Sequence, residues 1–434
     1  MLFGANSAGK TTLMQALLML SQTLASRDRE SALIANVPEQ LELGSYRDFI
    51  RGHDTKATLG MQVECLASSE ELRMFRPDAD QPPQRVRLAA SFRQAARNRI
   101  AVNSVDLLLS GRTIYRLTSP ARPGRPSFKV SVAKAAPDHD ELVQIGTSTS
   151  PAFRVLARRN FYVDPMAIYY DRSGKADKDL REAVFLAEAA FSSIERNLLN
   201  IRHLAPLREP ARRFYLAGGE TPSDVGAQGE LAPQLLYLSS ESKQRGEVME
   251  SARKWLRRLG LAVDLNVVRV GKAHYELQLM DPATGFPVNL ADVGFGVSQI
   301  LPVVVLGFFS SARQTVLFEQ PEIHLHPRVQ AELADMFIDL ALRNRRLIVE
   351  THSEHLLTRL QRRIAQGQIA ADEVGIYFVE VDEGGSRLRR IEVTPTGELL
   401  DWPAGFFAEG LTEAFEYAKA AREAADAEFA DPRD

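Results

Sequence analysis

The sequence predicts an α/β fold with a mostly parallel sheet, an antiparallel β subdomain and a helical insertion, on three observations. A glycine-rich loop followed by a helical stripe of leucines stands at residues 4–24. Short alternating runs recur between about Thr58 and Val132. From Ser298 onward helices and apolar strands alternate, the βαβα rhythm of a parallel sheet with crossover helices.

The loop reads Gly4-Ala5-Asn6-Ser7-Ala8-Gly9-Lys10-Thr11-Thr12, a complete G-x-x-x-x-G-K-[ST] pattern. Glycines at both ends let the backbone turn tightly and aim successive N–H groups inward, where they cradle phosphates. These nine residues are therefore expected to bind a nucleoside triphosphate, with Lys10 on the β- and γ-phosphates and the Thr11 hydroxyl on magnesium. Leu13, Leu17, Leu20 and Leu24 follow at spacings of four, three and four, so the loop opens a helix whose N-terminal dipole faces the anion. That helical context separates the motif from a chance run of small residues. Only Met1, Leu2 and Phe3 precede the loop. The strand that normally enters such a loop is expected to be nearly absent.

Composition narrows the class. A net charge of −3 gives no overall pull toward nucleic acid or membrane, although a local basic face stays open. The single cysteine, Cys65, excludes a disulfide framework and a cysteine zinc site. It reads best as a small buried apolar residue. The phosphate loop leaves no room for a secretory leader at the start. The most apolar stretch, Ile300 to Phe309, contains Pro302 and Gly307 and falls short of the ~20 residues of a membrane span. A cytoplasmic protein without a membrane partner is expected.

Along the chain, residues 1–31 read as the phosphate loop and first helix, and 32–175 as a β-rich part. Its alternating runs include Leu59 to Cys65 and Ile114 to Leu117, with a Pro/Gly loop from Ala121 to Ser127. Residues 176–289 read as a helical and β insertion. Helices are expected from about Asp177 to Leu199 and Leu231 to Leu259, then a hairpin about Gly271. Residues 290–396 carry the helix near Ser298, strand Thr315–Phe318, helix Arg328–Leu342, strand Leu347–Val349, helix Glu354–Gln366 and strands after Val374. Residues 397–434 read as a helical tail that turns acidic from Thr412. No heptad array predicts a coiled-coil arm.

Three further motifs complete a nucleotide site. Val316-Leu-Phe318-Glu319-Gln320-Pro321-Glu322 is an apolar strand ending in acids, which delivers a carboxylate, Glu319, to the magnesium shell. A second apolar strand ends in Glu350-Thr351-His352-Ser353, and His352 can reach a γ-phosphate or the attacking water. Ahead of an apolar helix stands Val293-Gly294-Phe295-Gly296-Val297-Ser298-Gln299, whose glycines and capping serine form another anion-binding helix start.

In this order, with Pro-Glu-x-His-Leu-His-Pro after the acidic strand, the motifs resemble the ABC-type ATPase heads of the SMC/RecF-like group. They are most similar to a family of bacterial predicted AAA-type ATPases with a C-terminal domain of unknown function, related to the OLD-type enzymes of phage defence. Leu43 to Asp48, Leu207-Arg208-Glu209, Val225-Gly226, Gly229-Glu230 and Trp402 to Phe407 extend the likeness through nearly the whole chain. The resemblance implies ATP and Mg2+ as cofactors and a homodimer that sandwiches two nucleotides. Gly294, Gly296, Ser298 and Gln299 would then act in trans, on the γ-phosphate held by the partner's loop. A partner effector is implied, and DNA is a possible ligand.

The strand end departs from the family's Asp-Glu-Pro order, since Glu319-Gln320-Pro321 stands there. Gln320 cannot accept a proton from water. Slow hydrolysis is expected, with water oriented by Gln320 and His352 and with Glu322 as base. No acidic nuclease cluster follows His352. His324, His326, His352 and His355 could be proposed as a metal cluster but read better as packing around the nucleotide. Arginines at 154, 158, 159, 202, 208, 212, 213, 359, 362 and 363 could track DNA; solvated faces and salt bridges explain most of them. The leading reading is an ATP-gated dimeric switch or motor in DNA repair or phage defence. The nucleotide-binding subunit of a transporter and an N-terminally truncated, inactive paralogue are the alternatives.

Overall fold

The computed structural model describes residues 1–26, 28, 31–38, 40–67, 83–95, 98–118, 128–133, 142–148, 178–241, 246–403 and 406–407. The expected loop from Ala121 to Ser127, the arginines at 154, 158 and 159, and the tail from Thr412 lie outside them.

In chain order the elements begin with β1 (Leu2–Gly4), α1 (Lys10–Ala25), the short pair β2 (Asn36–Val37) and β3 (Leu41–Glu42), and α2 (Tyr46–Phe49). Six strands follow: β4 (Leu59–Ala67), β5 (Gln84–Gln94), β6 (Ile100–Leu109), β7 (Arg112–Thr118), β8 (Phe128–Ala133) and β9 (Leu142–Ser148). Each pairs antiparallel with the next in one meander. Next come α3 (Lys178–Leu199), β10 (Ile201–Leu204), β11 (Tyr215–Leu216), α4 (Ala232–Glu241) and α5 (Gly246–Arg258). The hairpin β12 (Asp264–Val270) and β13 (His274–Met280) turns at Gly271 (φ +66°) and pairs on with β14 (Pro287–Asn289). The remainder is α6 (Phe295–Phe309), β15 (Thr315–Glu319), α7 (Pro327–Leu342), β16 (Arg346–Glu350), α8 (Glu354–Ala365), β17 (Ile376–Asp382), β18 (Gly385–Val393) and β19 (Leu399–Leu400).

The central sheet has the order β10-β15-β16-β1-β17-β18-β19. Its first five strands are parallel, and β18 and β19 extend one edge antiparallel. Although β1 is short, it sits in the middle of this sheet. Leu2 pairs with Glu350 on one side and Tyr377 on the other, and Phe3 and Gly4 pair with Phe378 and Val379. Three residues therefore suffice to root the phosphate loop between two longer strands. Gly4 is obligatory there: its φ is +146°, and a Cβ would stand 2.6 Å from the Val379 carbonyl oxygen.

Two large apolar cores form among the described residues, beside a small cluster of Leu2, Met14 and Leu317. One surrounds the parallel sheet and gathers Phe3, Trp255, Phe318, Phe337 and the whole inner surface of α6. The other joins α1 and α3 to the antiparallel meander through Leu20, Phe92, Leu107, Tyr115 and Phe191. Helix α3 thus shares a core with the β-rich part, so this core crosses the expected boundary at residue 176. The helix expected from Leu231 to Leu259 is two helices, α4 and α5; the polar run Ser239 to Arg245 offers no apolar side chain to keep one buried face continuous. The leucine stripe of α1 is also corrected in part. Leu13 is 41% exposed, and the buried positions are Met14, Met19, Leu20 and Leu24, because α1 packs against both α3 and β1.

A cluster of aromatic rings closes the sheet behind the loop. Phe3 meets Trp402 edge-on at 5.6 Å and Phe407 at 6.0 Å, and Phe378 meets Trp402 at 5.9 Å and Phe406 at 4.8 Å. Arg51 donates to the carbonyls of Glu383 and Gly384 at the tip of the β17–β18 hairpin. The side chain of Ser386 lies so close to Gly9 that a Cβ there would sit 2.9 Å from its Oγ.

Candidate nucleotide site

The parallel strands β15, β16 and β1 end at one edge of the sheet, and their register sets the site. Glu319 of β15 is level with Glu350 of β16, which is level with Leu2 of β1. Ligand sites in parallel α/β sheets lie outside such carboxyl ends. Glu350 therefore stands between the acidic strand and the phosphate loop.

The loop itself has Ser7 at φ +60° and Gly9 at φ +97°, with Gly9 as N-cap of α1. Lys10 is 4% exposed, and its Nζ donates to the carbonyls of Gly4 (3.0 Å) and Ala5 (2.8 Å). Burial lowers its pKa, and the Glu350 carboxylate offsets part of that fall. Ala5, Asn6 and Ser7 are exposed, Ala8 is buried and Thr12 faces solvent. Thr11 Oγ1 donates to Glu350, 3.0 Å from Oε2 and 3.3 Å from Oε1.

Beyond Glu350 the acidic turn is held from several sides. Glu319 Oε1 lies 2.6 Å from His203 Nε2 on the neighbouring strand β10. Gln320 takes a left-handed conformation (φ +42°) that ends the strand, and its N–H donates to the Glu350 carbonyl at 2.8 Å. The Arg208 guanidinium, 5% exposed, donates to the carbonyls of Glu319 (2.9 Å), Gln320 (3.1 Å) and Pro206 (3.0 Å). Burial pushes Arg208 down to about 10, with Glu322 and Glu319 acting against the fall, so the clamp keeps its charge at neutral pH. The buried Glu322 accepts from the backbone N–H of His352 at 2.7 Å.

These carboxylates are under strain of charge. Burial raises the pKa of Glu322 above the ordinary carboxylate range, with the His352 N–H opposing it. Burial also raises Glu350, and the charges of Glu319 and Glu322 add to that, while Thr11 and Lys10 oppose it. His352 is lowered by burial and then by the Lys10 charge, which favours the neutral imidazole. Lys10, Thr11, Glu319, Glu322, Glu350 and His352 thus form one electrostatic group.

The segment Gly294 to Gln299 faces elsewhere. Gly294 is the N-cap of α6. A Cβ on Gly296 would meet the His324 carbonyl oxygen at 2.9 Å, and Phe295 meets the His324 ring edge-on at 4.9 Å. Ser298 is not a cap: it is the fourth residue of α6, and its hydroxyl donates back to the Phe295 carbonyl at 2.8 Å. Gln299 is buried. The contacts of this segment thus run to the turn after Glu322, not to the phosphate loop of the same chain. His326 Nδ1 caps α7 by accepting from the Arg328 N–H, and His355 lies 3.9 Å from Glu354. Arg202, Arg212 and Arg213 pair with Asp224, Glu209 and Asp292, and Arg359 and Arg363 with Asp335.

The oxygen donors of Thr11, Glu350 and Glu319 suit a hard cation. Among the described residues no group of three or more His, Cys, Asp and Glu is arranged to hold a metal by itself.

Residues 236–357 match the family described as AAA ATPase domain. The match spans α4 through the start of α8, including the acidic strand and Glu350-Thr351-His352-Ser353, and β1 completes the same sheet. This part of the chain is therefore similar to an AAA-type ATPase domain. Residues 369–416 match a second family, described as protein of unknown function (DUF3696); this stretch holds β17 and β18, the strands beside the loop. No functionally curated protein matches the chain in sequence. Solved structures similar to it include an SMC head bound to the C-winged helix domain of ScpA (11% identity, 90% of this chain and 89% of that one, TM-score 0.36). The SMC head domain from Thermotoga maritima is another (9% identity, 90% and 89%, TM-score 0.34). A third is the Smc head with an extended coiled coil bound to the C-terminal domain of ScpA from Pyrococcus furiosus (10% identity, 97% and 92%, TM-score 0.33). Scores this low carry no functional weight. No helix among the described residues is long and apolar enough to cross a membrane.

Glu350, His203 and Arg208 escape assignment from sequence. Glu350 had a signal: Val-Leu-Phe-Glu319 and Leu-Ile-Val-Glu350 are two apolar runs with the same ending. His203 and Arg208 join the site only through the pairing of β10 with β15.

Proposed function

We propose that this ATPase is a magnesium-dependent, slowly hydrolysing nucleotide switch that works as a homodimer, in DNA repair or phage defence with a partner effector. One observation carries the reading: Lys10 and Thr11 share a sheet edge with Glu350, Glu319, Glu322 and His352, although the loop and these residues lie at opposite ends of the chain. Gly4 to Thr12 bind the triphosphate, with Lys10 exchanging its loop carbonyls for phosphate oxygens. Thr11 and Glu319 would hold magnesium, which would supply neutralisation of the triphosphate's charge. Glu322, held by the His352 N–H, is the proton acceptor, and Gln320 and His352 orient the water. The segment Gly294, Gly296, Ser298 and Gln299 meets the partner's nucleotide through its exposed start, Gly294 and Phe295 (54% exposed), behind which Ser298 and Gln299 are buried.

Binding of labelled ATP and oligomeric state, measured with and without DNA, test this reading. Lys10→Ala removes the charged donor and is expected to weaken ATP binding about 100-fold and to abolish ATP-dependent dimerisation. Unchanged affinity would overturn the assignment of the loop.

A further inference from the structure

We infer that Glu350 is a direct ligand of the nucleotide-bound cation and the residue that makes ATP binding depend on that cation. The inference rests on the nucleotide-site reading above and extends it to a residue outside the phosphate loop and the acidic strand.

Position is the first argument. Thr11, the loop's metal-binding hydroxyl, is bonded to Glu350 and not to Glu319. The register places Glu350 on the strand next to β1, with Glu319 one strand further out. At about 4.8 Å per strand, Glu319 is separated from the loop by the whole width of β16. Glu319 is moreover engaged by His203, whereas no such partner holds Glu350 away from the loop.

Satisfaction of its oxygens is the second. Glu350 is 3% exposed, and its carboxylate oxygens are 3.0 and 3.3 Å from one hydroxyl, which has a single hydrogen to give. A buried carboxylate so poorly supplied with donors is costly unless a cation completes it. The neighbouring Lys10 ammonium makes no hydrogen bond to Glu350; its bonds go to the carbonyls of Gly4 and Ala5.

Charge is the third. A carboxylate facing the phosphate loop repels a bare triphosphate. The same group attracts one that arrives with a divalent cation between them. Glu350 therefore acts as a discriminator: it penalises metal-free ATP and rewards the metal complex.

The test is the ratio of ATP affinities in Mg2+ and in EDTA, measured by equilibrium binding on the full chain. Glu350→Gln keeps the size and the bond to Thr11 but removes the charge. Metal-free ATP is expected to bind this variant about tenfold more tightly than wild type, and the gain from Mg2+ to shrink by a similar factor or more. An unchanged ratio would overturn the inference. Glu350→Cys gives a second measurement that does not depend on Glu350→Gln folding. A thiolate ligand favours a soft ion, so the metal-dependent gain should be lost in Mg2+ and regained in Cd2+, whereas Glu319→Cys should show a weaker regain. Failure of Cd2+ to restore the gain at position 350 would also overturn it. Wild type that binds no ATP in either buffer would instead end the nucleotide-site reading.

Discussion

In the proposed mechanism Glu322 carries the chemical burden that Gln320 cannot. Burial raises its pKa, which makes it a stronger base than a solvated carboxylate, and the His352 N–H fixes one of its oxygens. A base with a raised pKa is competent only once deprotonated, so turnover should fall as pH drops through that pKa, above the ordinary value of 4.5. Glu322→Gln should lower turnover about 100- to 10,000-fold, erase this acid limb and leave ATP affinity nearly intact. Undiminished turnover would remove Glu322 from the mechanism. At this scale the phosphate loop was legible because its chemistry demands a fixed spacing, and the acidic turn because an apolar run ended in carboxylates. The Glu350 partnership with Thr11 was not legible, since hydrogen bonds between residues so distant in sequence leave no local pattern.

Helices and strands were legible wherever periodicity was strong, as in α1, α7, α8 and the Gly271 hairpin. The break between α4 and α5 was missed because helical residue types continue on both sides of it. How the helices are tied was equally hidden. Asp335 of α7, with its side chain 4% exposed, is gripped by Arg258 of α5 (2.6 Å) and by Arg359 (2.8 Å) and Arg363 (2.6 Å) of α8. Burial alone would raise its pKa, but the three guanidiniums, Arg363 foremost, outweigh that and hold it low. Asp335→Asn leaves three cations crowded around a neutral group. A loss of about 3–5 kcal/mol of stability is expected, read from urea unfolding at neutral pH. A change within experimental error would show that this network contributes nothing to holding the helices.

For the whole molecule, the parallel class followed from the βαβα rhythm. The position of β1 in the middle of the sheet did not, because order across a sheet is a tertiary property. A symmetric sandwich makes a distinctive prediction. Lys10→Ala disables the loop of one subunit, and Gly294→Arg, at an exposed helix start where an added Cβ meets no atom within 4 Å, disables the segment it offers to the other. Each variant alone should be inactive. Mixed in equal amounts, only the hybrid pair carries an intact composite site, one of its two, so partial turnover, at most about half of wild type, should return. No recovery on mixing would place both residues in the same subunit's site or outside catalysis.

The ring contacts behind β1 give the two ends of the polypeptide a common fate. Trp402 and Phe407 press on Phe3, the residue immediately before Gly4. A client that grips this carboxyl-terminal stretch would tug on the root of the triphosphate cradle through interlocked aromatic side chains. Force or binding energy applied far from the chemistry would thereby reach Gly4 in a single step.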